Sequence, residues 1–177
     1  MNELLYDSQS LACFIIQNEI GTRASMEFIR KVFNEDNEFL HPLYRNHEKK
    51  LFSDVLYWMD YLYDKVTIDS EFPAIARDFA GSGHTIVKES IISDFSGFDM
   101  FFMSMRLKLR FFDSRGYVRI KLRTLLKGYG YQKRSAKLVK YIRDCVSFYR
   151  IQSYLRGGEK CDISVIDIDD MITFRLI

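Results

Sequence analysis

Hydrophobic residues recur at helical spacing along the first third of this chain. Leu11, Ile15, Ile16 and Ile20 form one stripe, and Met26, Phe28, Ile29 and Val32 form another beyond Gly21. Gly21 is placed to end one helix and let a second begin. Asn34-Glu35-Asp36-Asn37 is a polar break, and Pro42 biases His41 away from helical conformation. Residues 46–66 predict a third helix. Leu51, Val55, Trp58, Met59 and Leu62 share a stripe, while Glu48, Lys49, Lys50, Asp54 and Asp60 fall mostly elsewhere. A short helix is expected from Glu71 to Ala80, capped by Asp69 or Ser70, with Pro73 in its first turn and Gly81-Ser82-Gly83 as its stop.

The period then shortens. From Asp99 to Arg110, Phe101, Met103, Met105, Leu107 and Leu109 alternate with Phe102, Ser104, Arg106, Lys108 and Arg110, which predicts a strand with one buried and one basic face. Asp113-Ser114-Arg115-Gly116 reads as a turn. Helical spacing returns over 117–127, with Val118, Leu122, Leu125 and Leu126 on one side and Arg119, Arg123 and Lys127 lining another. Gly128-Tyr129-Gly130-Tyr131 breaks that helix. A further helix is expected over 134–151, its stripe made by Leu138, Ile142, Cys145, Val146 and Tyr149, with Lys133, Lys137, Lys140 and Arg143 opposite. Gly157-Gly158 is a turn, and Cys161–Ile168 and Met171–Leu176 read as two short strands around Asp169-Asp170.

Charge follows the same division. Fifteen of the twenty-six Lys and Arg residues lie between Arg106 and Arg156, opposed only by Asp113 and Asp144, so that stretch is formally +13. Residues 1–105 carry nine bases against seventeen acids, and residues 157–177 carry two against five. The whole-chain value of +2 conceals this polarity. A basic concentration of this size points to a polyanionic partner, most often nucleic acid. It reaches Arg106, Lys108, Arg110, Arg115, Arg119, Arg123, Lys127, Lys133, Arg134, Lys137, Lys140 and Arg143, with Tyr141 among them, and these thirteen are the candidate nucleic-acid-binding residues.

The order helix, short glycine-containing turn, basic helix and two-stranded hairpin resembles a winged helix-turn-helix. Tyr117–Lys127, Gly128–Lys133, Arg134–Ile151 and Ser153–Leu176 carry the resemblance. It is a pattern of elements rather than a motif. It implies that the second helix enters a DNA major groove, with Lys133, Arg134, Lys137, Lys140 and Tyr141 facing nucleic acid, while the hairpin touches the adjacent backbone. One departure stands out: Asp162, Asp167, Asp169 and Asp170 make the hairpin acidic, whereas a DNA-touching wing is usually basic. The predicted fold is therefore α+β and mostly helical. An acidic helical region (1–80, for protein contacts) and a connecting segment (81–98) precede a basic winged-helix-like region (99–177).

Tyr117, Tyr129, Tyr131 and Tyr141 sit among the bases, and such aromatics stack on exposed bases or support phosphate contacts. For Tyr129 and Tyr131, turn packing is the expected role. A fainter helix-turn-helix pattern over Ala74–Ile92 lies in acidic surroundings that argue against DNA reading. The Arg77–His84 spacing resembles that of some helical ribonuclease domains, but Gly81, Ser82 and Gly83 intervene, so His84 is expected to be an incidental surface histidine. His41 and His47 lack companions at metal-ligand spacing. The tail aspartates lack the nearby lysine of a metal-dependent nuclease core. No Walker, GxGxxG, GxSxG or HExxH motif is present.

At 177 residues, 47% hydrophobic and 15% aromatic, the chain has enough apolar surface to build a core. Its apolar runs are far shorter than the ~20 residues of a membrane span, and the acidic start Met-Asn-Glu predicts no signal peptide. Three cysteines without CxxC spacing fit a reduced, cytoplasmic protein. Duplex DNA is favoured over RNA as partner, with no cofactor and no catalysis, in a regulator or in the DNA-binding subunit of a larger assembly. The aromatic helix around Tyr57, Trp58, Tyr61 and Tyr63 is a candidate surface for a homodimer or partner protein. A protein-interaction subunit using its charged faces, and a small nuclease, are the other two classes that fit.

Overall fold

Asp7 and Ser10 start the first helix by capping each other. The Ser10 amide donates to Asp7 Oδ1 at 2.7 Å and the Asp7 amide donates to Ser10 Oγ at 3.0 Å. The computed structural model describes residues 4–65 and 97–177. The chain divides into one unit over 1–96 and another over 97–177. It is α+β and mostly helical. The expected helix over 71–80, the second helix-turn-helix pattern over 74–92 and the Arg77–His84 pair lie outside the described residues.

In the first unit, α1 (Ser8–Gln17), α2 (Thr22–Glu35) and α3 (Glu48–Lys65) follow the predicted spacing. Leu11 to Ile16 are all buried, so α1 is enclosed on every side, whereas α2 and α3 each bury one stripe: Phe28, Ile29 and Val32 on α2, Leu51, Val55 and Leu62 on α3. Gly21 begins α2 as its N-cap but does not end α1, which stops at Asn18; the left-handed residue in the link is Glu19, at φ 52°. The polar break is tighter than the sequence predicts, because a 3₁₀ turn spans Asn37–Phe39. The Tyr44 hydroxyl donates to Asp54 at 3.0 Å and lies 2.9 Å from Ser8 Oγ. A phenol has one proton and a carboxylate only accepts, so Ser8 donates to Tyr44. On α3, Tyr57, Trp58 and Tyr61 meet edge to face at 5.6 and 5.8 Å, and Tyr57 is 64% exposed.

The second unit departs from the sequence expectation at its start. Phe98–Phe111 is a helix, α4, not a strand. Its alternation is real, but none of its residues is β-branched, and Met, Leu, Lys and Arg favour helix. Phe98, Phe102, Met103, Met105, Leu107 and Leu109 are all buried, so α4 is enclosed nearly all round, and an enclosed helix has no one-sided stripe to read. The expected helix over 117–127 splits in two, into β1 (Val118–Lys121) and α5 (Leu122–Gly128). Val118 and Ile120 suit a strand, and β1 pairs with a segment fifty or more residues away. No side chain caps α5; instead its Leu122 and Arg123 amides donate to the carbonyls of Asp170 (3.1 Å) and Ile168 (2.7 Å).

Helix α6 spans Ala136–Phe148, with the Ser135 hydroxyl accepting from the Leu138 amide at 3.1 Å. Arg150, left-handed at φ 50°, turns the chain into β2 (Ile151–Tyr154), so the predicted helix is shorter than 134–151. Gly157 and Gly158, at φ 109° and 91°, make the following turn, as expected. Met171–Leu176 is the strand β3, but Cys161–Ile168 is irregular chain, and β3 pairs with β1 and β2 instead. The sheet is antiparallel in the order β1-β3-β2, with Val118 and Ser153 both opposite Phe174, and Arg119 and Tyr154 both opposite Thr173. Its inner face carries Ile172, Phe174 and Ile151, and Phe174 meets Phe102 of α4 edge to face at 5.7 Å. Among the described residues no helix is long and apolar enough to cross a membrane.

Candidate nucleic-acid interface

The stripe of α6 that faces the interior is Leu138, Val139, Ile142 and Cys145. A helix that buries those positions must turn Lys137, Lys140, Arg143 and Asp144 outward, and all four are exposed. Gln132 and Lys133 are exposed just before it, and Lys127 is exposed in the last turn of α5. Neither Lys127 nor Lys133 has an ion-pair partner among the described residues. Lys140 pairs with Asp144 one turn on, at 2.6 Å, in an exposed contact of little energetic weight. Tyr141 is half-buried beside Cys145, whose thiol is pushed up to about 12, chiefly by burial. That thiol stays protonated and inert.

Several arginines of the basic stretch are already engaged within the chain. Arg106 is 6% exposed, and its guanidinium donates to the Tyr149 carbonyl at the end of α6, at 2.9 Å. It is therefore removed from the surface where a two-residue alternation would have placed it. Arg115 forks onto Asp113 within its own turn. Arg134 donates to the carbonyls of Ile163 (2.8 Å) and Ile166 (2.6 Å). Arg143 meets Asp162 and Ser164. Arg123 grips Asp169 through two bonds of 2.6 and 2.7 Å. The segment 161–170 thus folds back on α5 and α6, and its acidity is the counterpart of their arginines. The pairing holds the Asp169 carboxyl below its usual range. Asp162 drops to about 2, first through the Ser164 hydroxyl and amide and then through Arg143.

The remaining candidates are dispersed. Lys108 and Arg110 are exposed on α4, and Arg119 is exposed on β1, so Arg119, Arg123 and Lys127 do not line one helix face. Tyr129 and Tyr131 pack on buried Phe98, at 4.6 and 5.6 Å between ring centroids, the turn-packing role expected of them. Two bases outside the thirteen, Lys121 and Arg175, are exposed on the sheet beside Arg119. The alternation of Ile172 and Phe174 with Thr173 and Arg175 is the sequence signal that locates the latter. Among the described residues no group of three or more His, Cys, Asp or Glu is placed to hold a metal ion. No protein-family model, curated protein or solved structure matches the chain.

Proposed function

We propose that residues 97–177 form a winged helix-turn-helix unit that binds nucleic acid, duplex DNA before RNA, without turnover and without a cofactor. The observation that carries this reading is the order of elements around α6: helix, strand, helix, turn, basic helix and hairpin, with the sheet ordered β1-β3-β2. In such a unit α6 enters the major groove and the loop after β2 lies along the neighbouring backbone. The exposed lysines 127, 133, 137 and 140 supply the phosphate contacts, and Gln132, Lys133 and Lys137 at the start of α6 are nearest the base edges. The tip of the loop, Arg156 to Lys160, carries two bases and one acid, so the part of the wing that would meet backbone is not acidic.

On this reading the first unit supplies protein contacts, a homodimer or a partner subunit, through the aromatics of α3, with Tyr57 exposed and Trp58 and Tyr61 half-buried beside it, and the protein acts as a regulator or as the DNA-binding part of a larger assembly. Its three free cysteines suit a reducing compartment such as the cytoplasm. A second reading, a protein-interaction subunit, is favoured by one observation: Arg115, Arg123, Arg134 and Arg143 are satisfied internally, which lowers the charge left for a polyanion. Titration of the whole chain with labelled duplex and with an acidic peptide, at rising salt, separates the two. Salt-sensitive duplex binding is the expected result, and binding of the peptide alone would favour the second reading.

A further inference from the structure

The open face of the sheet is a second basic surface, on the side away from the core. Residues that alternate with inward-facing Val118, Phe174 and Ser153 point outward: Arg119, Thr173 and Tyr154 lie in one row and Arg175 and Gln152 in the next, with Tyr117, just before β1, against Arg175. The row ends interlock. Arg119 Cζ lies 4.9 Å from the Tyr117 ring centroid. Arg175 Cζ lies between two tyrosines, 6.0 Å from Tyr117 and 5.7 Å from Tyr154. Arg115 Cζ is a further 6.0 Å from Tyr117. The Tyr154 hydroxyl donates to Gln152 Oε1 at 2.7 Å, which fixes that ring over the sheet. Thr173, at the centre, is only 6% exposed because this layer covers it.

We infer that this face binds single-stranded nucleic acid, independently of α6. Arg115, Arg119, Lys121 and Arg175 give it four positive charges, with Asp113 and Asp169 the carboxylates beside it. Charge alone would suit any polyanion. The interleaving is what selects: guanidinium planes held against phenol rings offer flat surfaces on which unpaired bases stack, beside cations that meet the phosphates. A duplex hides its bases and has no use for those planes, and an acidic peptide has no flat partner for them. A sheet is also the platform on which single strands are laid in several unrelated modules, because its alternate side chains stand up in rows. The helices contact the inner face, so a strand lying on the outer face is not competing for α6.

The test uses the whole chain and two labelled probes: oligo(dT) of about 20 nucleotides, longer than the ~4–16 nucleotides such a surface covers, and a duplex of equal length. Arg119→Glu with Arg175→Glu is expected to weaken oligo(dT) binding by about tenfold or more, and duplex binding by a clearly smaller factor that fades as salt is added. Lys133→Ala, Lys137→Ala and Lys140→Ala together should do the reverse. Arg119→Lys with Arg175→Lys keeps the charge and removes the planes, so oligo(dT) affinity should still fall by about threefold, and this pair stands in if circular dichroism finds the Glu pair unfolded. Ultraviolet cross-linking of bromodeoxyuridine strands should map to Tyr117 or Tyr154. The inference is overturned if the wild-type chain ignores oligo(dT) at low salt, if the sheet variants weaken both probes equally, if the Lys pair binds as wild type, if cross-links avoid both tyrosines, or if a polyglutamate peptide binds the same face as tightly.

Discussion

Arg123 and Asp169, forty-six residues apart in sequence, hold each other through two parallel hydrogen bonds of 2.6 and 2.7 Å. Together with the Asp162–Arg143 contact, this pair fastens the acidic segment 161–170 to the two helices of the basic unit. Its consequence is that part of the tail's acidity is engaged within the unit, where it neutralises two arginines.

Removing one carboxylate should therefore unmask its arginine. Both side chains are about half exposed (53% and 55%), so Asp169→Asn should leave stability nearly unchanged. Duplex affinity should rise by about two- to threefold at low salt, the gain fading as salt is added. Fluorescence anisotropy at two salt concentrations checks this. Weaker binding by the variant would mean that Asp169 positions Arg123 rather than masking it.

The Asp162 carboxyl gives a pH signature. Its folded value of about 2 lies below the ordinary ~3.9 of an aspartate. Such a group stabilises the fold fully above that ordinary value, and its contribution is lost as pH falls from there through about 2. Carboxyl carbon shifts followed by NMR should give Asp162 a midpoint near 2, and Ser164→Ala should move it upward, because Ser164 supplies the largest share of the shift. A midpoint near 4 in the unaltered protein would contradict the arrangement of the 161–164 turn.

Arg106 should behave as a structural residue. Arg106→Ala removes the donor to the Tyr149 carbonyl and the packing of a buried stem, a loss of about 2–3 kcal/mol. Urea denaturation should register it, while the folded fraction binds duplex within about twofold of wild type. A selective loss of affinity with unchanged stability would return Arg106 to the interface.

Ser104 offers the opposite case. Its hydroxyl is buried on α4 and has no hydrogen-bond partner among the described residues. Ser104→Ala should leave the protein as stable or raise its stability by up to ~1 kcal/mol, since an unsatisfied buried hydroxyl costs about that much. A clear fall in the thermal midpoint would point to a partner for that oxygen.

How far the sequence reached depended on how local each element is. Helices α2 and α3 are legible because Phe28, Ile29 and Val32, and then Leu51, Val55 and Leu62, each keep one stripe, and the residues around Gly21 interrupt the chain. Helix α4 is not legible in its alternation, because a helix buried on nearly all sides gives no 3.6-residue contrast, and Phe101 to Arg110 happen to alternate. The strand β1 is hidden because Val118 continues the apolar spacing of Leu122 and Leu125 in α5. The strand β2 is hidden because its short stretch, Ile151–Tyr154, becomes a strand only through its pairing with β3. On α6 the outward side follows from the inward stripe, so Lys137 and Lys140 are exposed as expected. The fates of Arg123, Arg134 and Arg143 are not legible, since each is settled by a carbonyl or carboxylate nineteen to forty-six residues away.

The most direct test of the central claim is a salt titration of duplex binding with and without the lysines on and just before α6. If lysines 127, 133, 137 and 140 each neutralise a phosphate, log K should fall with log salt at a slope of about −4. Replacing Lys133, Lys137 and Lys140 by Ala should lower affinity by about tenfold or more, ~1.4 kcal/mol at least, and flatten the slope by about 3. Lys49→Ala with Lys50→Ala, in the acidic unit, should change neither quantity. Duplex binding that is absent at low salt, or equally reduced by the two sets of substitutions, would contradict the assignment of α6 as the DNA-binding helix.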